Sequence, residues 1–216
     1  MRKTISKRLS ESKFSSPHFY LTMEIDMENC INGRKKINES SERKISFNDI
    51  ILKAVAVSLR KHPMVNSSLL DDKIRLNHHI HIGVAVAVDD GLLVPVIRFD
   101  DNKSLSHISM EVKDLATKAK QKQLQPSDWE GNTFTISNLG MFGIDEFTAI
   151  INPNDSCILA VGGIKNTPVI KNGEIVPGNI MKVTLSCDHR IVDGATGSAF
   201  LNTVKELIED PIKILV

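Results

Sequence analysis

Two periods alternate along the chain, and the switches between them mark its elements. "HFYLTMEIDM" alternates apolar and polar positions over 18–27 and predicts a strand. Ahead of it, residues 2–12 are basic with a thin apolar stripe, Ile5 and Leu9. That pattern predicts a short helix that needs a surface to dock on. The period then lengthens: Ile50, Ile51, Ala54, Val57 and Leu59 belong to a helix. Ser46 stands at its N-cap, Asp49 three residues on as a variant capping box, and His62-Pro63 at its stop. "HIHIGVAVAV" (79–88) and "GLLVPVI" (91–97) are β-prone runs around Asp89-Asp90-Gly91, which predicts paired strands. Ile108, Val112, Leu115 and Ala116 return to helical spacing within 105–123. Strands are predicted at 132–137, 156–163 and 181–187. Between the last two, "VIKNGEIV" carries the hairpin signal Asn172-Gly173. Phe200, Val204, Leu207 and Ile208 share one face of a final helix at 195–210. With no repeat, low-complexity segment or long linker, the pattern predicts one α/β domain with a mixed sheet.

Composition narrows the function. The 216 residues carry 27 basic and 26 acidic side chains, a net charge of +1, which gives no electrostatic case for nucleic acid or an anionic membrane. Aromatics, at 5%, are too sparse for base-stacking platforms. No apolar run approaches the ~20 residues of a membrane helix. The basic start "MRKTISKRLSESK" lacks the apolar segment of a signal peptide. Cys30, Cys157 and Cys187 are odd in number with no close pairing in the sequence, which predicts free thiols in a reducing compartment.

The candidate chemistry sits in "SCDHRIVDG", Ser186 to Gly194. His189 falls where a strand gives way to a loop before the last helix, a place that holds a side chain while exposing it. Strand alternation puts Cys187 on its face and turns Asp188 away. The same residues allow plainer roles: a hydrogen-bonded structural histidine, Asp193 as an N-cap, Asp188 and Arg190 as a surface ion pair. In "GNTFTISNLGMFGI" (131–144), Ser137 ends a strand beside Gly140 and Gly143, as an oxyanion donor or as part of an ordinary turn. No Gly-x-Ser-x-Gly elbow surrounds it, which argues against a serine hydrolase. A Cys187 thiol nucleophile is the rival reading, against that of a small buried residue. His79 and His81 of "NHHIHIG" share a strand face, but two imidazoles are too few for zinc, so no metal is expected. Asp71-Asp72-Lys73 reads as a turn.

Together the two segments resemble one family. "DHRIVDG" matches the His-x-x-x-Asp-Gly signature of the dihydrolipoamide acyltransferases, the core components of 2-oxo acid dehydrogenase complexes, and "TFTISNLGMFGI" resembles their second signature. "KRLSESK…PHFYL", "KISFNDIILKA", "GLLVPVI" and "INPNDSCILAVG" extend the likeness over nearly the whole chain. "SNLGMFGI" most resembles the pyruvate-type, acetyl-transferring branch; succinyl and branched-chain branches, and a chloramphenicol-type O-acetyltransferase, are the alternatives.

The resemblance implies a chloramphenicol-acetyltransferase-like mixed sheet flanked by helices, in a trimer that assembles into a 24- or 60-subunit cage. It implies residues 1–216 as the catalytic core domain, with the lipoyl and peripheral-subunit-binding domains outside this chain. Coenzyme A and dihydrolipoamide would be substrates, and the pyruvate dehydrogenase and lipoamide dehydrogenase components would be partners through those other domains. His189 would be the general base and Ser137, from a neighbouring subunit, the oxyanion donor. Asp193 would position the histidine loop by an ion pair with an arginine, with Arg190 in the same network. The N-terminal helix would lie against an adjacent subunit, and the compartment would be bacterial cytoplasm or mitochondrial matrix.

Overall fold

Four leucine and isoleucine side chains in a row explain the architecture. In the computed structural model, which describes residues 2–89 and 91–215, Leu21, Leu185, Leu159 and Ile136 are lateral neighbours on four adjacent strands. The strands are β1 (His18–Asp26), β10 (Glu174–Asp188), β9 (Cys157–Lys171) and β8 (Phe134–Asn138). With β4 (Ile82–Val84) and β7 (Val96–Ile97) they form a six-stranded sheet in the order β1-β10-β9-β8-β4-β7. The β9–β8 and β8–β4 pairs are parallel and the other three antiparallel, so the sheet is mixed.

Lateral neighbours in a sheet share a face, so that apolar row points to one side. There α6 (Gly194–Glu209) packs so closely that a Cβ on Gly197 would stand 2.8 Å from Leu21 Cδ1. Phe200, Leu201, Val204 and Ile208 of α6 are buried, beside Ile51, Leu52, Val55 and Leu59 of α3 (Phe47–Lys61). Each such side chain removed from water contributes roughly 1.5–3 kcal/mol. Helix α3 begins as the sequence predicts: Ser46 Oγ accepts from Asp49 N–H and the Asp49 carboxylate accepts from Ser46 N–H.

The next row along, Thr22, Thr184, Ala160 and Ser137, must face the opposite side. Residues 139–155 cross that side with no regular structure beyond a 3-10 turn, Gly140–Phe142. They are tied to it by Leu139 N–H to Val161 O, Gly163 N–H to Ile144 O, and Ser186 Oγ to Ala149 O. The first helix, α1 (Arg2–Ser15), lies against this segment, with Ser12 Oγ donating to Ile151 O at 2.6 Å. Within one chain the helix is thus anchored through its last turn, where Ser12 is its one buried side chain among those described, while Ile5 and Leu9 stay partly exposed.

Several elements depart from the sequence pattern. Helix α2 (Glu28–Ser40) was not predicted: it is polar almost all round, buries only Cys30, and so has no apolar period to read. The run 79–88 is not one strand. Residues 79–81 lie outside β4, and the chain leaves the sheet at Ala85 to form a separate ribbon, β5 (Val86–Val88) with β6 (Gly91–Leu93). The turn between them includes Asp90, which lies outside the described residues. Asp71 and Asp72 do turn the chain, between β2 (Ser67–Leu70) and β3 (Lys73–Leu76). The Asn172-Gly173 hairpin is the tip of the long β9–β10 pair rather than two short extra runs. Helix α4 (Leu105–Lys120) ends three residues early, and α5 (Pro126–Trp129) is a single turn before β8. No helix among the described residues is long and apolar enough to cross a membrane.

Candidate active site

Strand β10 ends at Asp188, so alternation no longer fixes the direction of His189. Cys187 is buried in the core, whereas His189 is exposed. The loop that follows folds around Asp188. Its carbonyl accepts from Ile191 and Val192 N–H, each at 3.0 Å, and its carboxylate takes Arg190 in a two-point ion pair, Nε to Oδ1 at 3.0 Å and Nη2 to Oδ2 at 2.6 Å. The Asp188 side chain is only 3% exposed, so this is not the surface pair that the sequence suggested. Burial pushes its carboxyl up. Hydrogen bonds from the Arg190 side chain and N–H and from Ser16 outweigh burial, and the net direction is downward. Arg190 Nη2 also donates to Ser16 Oγ at 3.0 Å, tying the loop to the segment before β1.

His189 itself is held through its backbone and its ring. Its N–H donates to Pro17 O at 3.0 Å, and its imidazole lies 4.6 Å from the Phe19 ring, tilted by 49°. Among the described residues of this one chain, Asp193 has no arginine partner. Its Oδ1 accepts from Thr196 N–H at 2.7 Å as the N-cap of α6, while the arginine of the loop is taken by Asp188. Hydrogen bonds from Thr196, first its N–H and then its hydroxyl, lower the Asp193 carboxyl, with a smaller pull from nearby His189.

Ser137 stands on β8, two strands over from β10, in the wall of a cleft of about 600 Å³. Phe47, Val86, Val112, Leu139 and Met181 make most of that wall apolar, with Lys120 and Asn48 among its few polar groups. The sequence "SNLG" is fixed there in three ways. Asn138 Oδ1 accepts from Gly140 N–H at 2.9 Å, Asn138 Nδ2 donates to Asn48 Oδ1 at 3.3 Å, and the backbone at Gly140 lies against Gly162 and Gly163. A Cβ on Gly162 would stand 1.9 Å from Asp145 O, so only glycine admits the crossing chain. The glycines Gly162 and Gly163, which the sequence reading passed over, are thus what seats the serine segment.

The register sets how far the serine lies from the histidine. Ser137 is level with Ala160, and Ala160 with Thr184, four residues short of Asp188. Two strand spacings and four strand residues give a separation of roughly 16 Å between Ser137 and Asp188 Cα atoms. One chain therefore brings His189, Arg190 and Asp193 together and leaves Ser137 apart, and His189 does not line the serine's cleft.

The remaining candidates are structural in their placement. Cys157 and Cys187, unpaired in the sequence reading, are direct cross-strand partners, both free and fully buried. Burial, then the Cys187 sulfur, pushes the Cys157 thiol well above its ordinary value, away from a nucleophilic thiolate. The His79 and His81 rings stack at 5.4 Å although they lie outside any strand, and Phe99 N–H donates to His81 Nδ1 at 3.0 Å. Among the described residues, no group of three or more histidine, cysteine or acidic side chains is placed to hold a metal.

The model of the 2-oxoacid dehydrogenases acyltransferase (catalytic domain) family matches residues 1–216. The chain belongs to this family. It is 46% identical over its full length to the dihydrolipoyllysine-residue acetyltransferase component of the pyruvate dehydrogenase complex of Rickettsia bellii, of which it covers 53%. It is 47% identical to the mitochondrial counterpart of Dictyostelium discoideum, covering 34% of that protein. The chain thus spans about half or less of the length of these two relatives. Among solved structures, it superposes on Azotobacter vinelandii dihydrolipoamide acetyltransferase with a TM-score of 0.95, 33% identity and coverage of 100% of this chain and 90% of that one. That structure was reported with enzymatic work on a serine, a histidine and an asparagine in its catalytic mechanism. The cubic core of the pyruvate dehydrogenase multienzyme complex matches equally, with the same score, identity and coverage. A chloramphenicol acetyltransferase, 16% identical with a TM-score of 0.58 over 94% of each chain, shares the fold.

Proposed function

We propose that this chain is the catalytic domain of a dihydrolipoamide acetyltransferase, carrying acetyl groups between a dihydrolipoyl thiol and coenzyme A. The observation that carries the reading is an exposed imidazole, His189, on a loop whose surrounding backbone and charges are tied down. The sequence separations of Ser137, His189 and Asp193 also equal those of the serine, histidine and asparagine studied in the Azotobacter enzyme.

In the proposed reaction His189 takes the proton of the coenzyme A thiol. The thiolate sulfur attacks the thioester carbonyl of S-acetyl dihydrolipoamide. Ser137 donates its hydroxyl hydrogen bond to the tetrahedral oxyanion, a contact typically worth ~3–4 kcal/mol. Collapse expels the dihydrolipoyl sulfur, which recovers the proton from His189, and no covalent enzyme intermediate forms. Asp193 and Arg190 support the histidine loop from opposite sides, one by capping α6 and the other by holding Asp188.

Because roughly 16 Å separates the serine and histidine regions within one chain, the complete site needs a second copy, His189 from one subunit facing Ser137 of its neighbour. A trimer built into a larger cage supplies such pairs. The lipoyl group, on a domain outside residues 1–216, and coenzyme A are the substrates; the pyruvate dehydrogenase and lipoamide dehydrogenase components are partners. The bacterial and mitochondrial relatives support a bacterial cytoplasm or mitochondrial matrix.

The test is acyl transfer from acetyl-, succinyl- and branched-chain acyl-CoA to dihydrolipoamide, with chloramphenicol as a competing acceptor. Acetyl transfer to the dithiol is expected, with His189→Ala and Ser137→Ala each slower by about 10²–10³-fold. Assemblies of both inactive variants mixed should regain turnover. A His189→Ala protein as active as wild type, or a preference for another acyl group or for chloramphenicol, would overturn the proposal.

A further inference from the structure

The mechanism needs His189 held in place, and the structure shows what holds it. The Ser16-Pro17-His18 strap passes beneath the loop, and Pro17 O is the acceptor for His189 N–H at 3.0 Å. Proline has no N–H of its own, so it has no backbone donor with which to anchor the strap. The His18 ring does so from both sides. Its Nδ1–H donates to Ser16 O at 2.7 Å, one residue before the proline, and its Nε2 accepts from Ile151 N–H at 3.2 Å, on the segment that crosses the sheet. Both bonds require the neutral imidazole with its proton on Nδ1, so the ring has one tautomer and one orientation.

The contacts around it converge on the same strap. Ser16 N–H donates to Ser12 O at 3.1 Å, Ser16 Oγ accepts from Arg190, and Ile151 O accepts from Ser12 Oγ. His18 also pairs with Asp188 in the β1–β10 register, one residue from His189. Phe19, the next residue, lays its ring on the His189 imidazole.

Resting on the acyl-transfer reading, we propose that His18 is a positioning residue for His189: its half-buried imidazole locks the strap carbonyl that receives the His189 N–H. It touches no substrate and exchanges no proton in the reaction. Its contribution is the placement of the base, and a misplacement of about 1 Å is enough to cost roughly 10²-fold in rate.

The experiment compares His18→Ala, His18→Asn and His18→Gln in the assembled full chain. Asparagine restores an N–H donor near the Nδ1 position, and glutamine restores an acceptor near Nε2. For His18→Ala, kcat should fall by roughly 10–100-fold while the KM values for coenzyme A and dihydrolipoamide stay within about twofold. The asparagine and glutamine variants should each recover part of the lost kcat. If the alanine variant does not assemble, those two decide: reduced kcat at unchanged KM in both supports the proposal, and wild-type kcat in both overturns it. An unchanged kcat in His18→Ala, or loss of kcat and assembly together with no recovery in either variant, also overturns it. The outcomes separate this inference from the reading beneath it. An active His189→Ala enzyme sinks the acyl-transfer mechanism, whereas an inactive His189→Ala beside a fully active His18→Ala sinks only the role of His18.

Discussion

Asp100 gives the protein a pH dependence that lies outside the candidate site. It opens a 3-10 turn, Asp100–Asn102, directly after Phe99, which adopts a left-handed φ of 50°. The residue is fully buried, and no described residue hydrogen-bonds either carboxylate oxygen. Burial pushes its carboxyl from 3.8 up to about 7, against a downward pull from Lys53 and Lys103 and with a further push from Glu111 and Asp101. The folded state therefore holds this proton more tightly than the unfolded chain. The stabilisation is complete below about pH 4, declines by about 1.4 kcal/mol per pH unit up to about pH 7, and is level above, a total of about 4 kcal/mol. Asp155, also pushed to about 7 by burial despite its bonds to Thr135 and Asn132, adds a loss of the same sign, so wild-type stability alone does not isolate Asp100. Asp100→Asn removes only its own titration. The amide also finds no partner, which changes the level of stability but not its slope. Denaturant unfolding of both proteins from pH 4.5 to 8.5, at one protein concentration, should show the variant gaining on wild type up to about pH 7 and holding a constant difference above it. A difference that does not vary with pH would refute the reasoning.

Gly162→Ala places a Cβ 1.9 Å from Asp145 O on fixed backbone. It should destabilise by about 1–3 kcal/mol, seen as a lower Tm, and should slow acetyl transfer by moving the Ser137 segment; a wild-type Tm would refute the account of the crossing. Arg190→Ala leaves the Asp188 carboxylate buried without its cation. Since the arginine is partly exposed, a loss of about 2–3 kcal/mol is expected in chemical denaturation, below the ~3–5 of a fully buried pair. Cys187→Ala should keep turnover in the transfer assay, and its loss would revive the thiol nucleophile.

How much of this was legible in the sequence depended on how local the cause was. The capping box at Ser46, the stop at His62-Pro63, the Asn172-Gly173 turn and the final helix follow from neighbours within a few residues, and each is where the pattern puts it. Helix α2 was hidden because it buries only Cys30 and so carries no apolar period along the chain. The break at Ala85 was hidden because apolar runs look alike whether they stay in one sheet or change partners.

The candidate site divides in the same way. The sequence by itself singled out the candidate groups, the imidazole of His189, the hydroxyl of Ser137 and the carboxylate of Asp193, because residue type and spacing are written in the chain. Only the tertiary structure decided their surroundings. It buried Asp188 beneath Arg190, made Asp193 a helix cap, brought Cys157 against Cys187, and left Ser137 on another part of the sheet from His189. Register causes that separation: alternation tells which way a side chain points, but only pairing between distant strands tells what it meets.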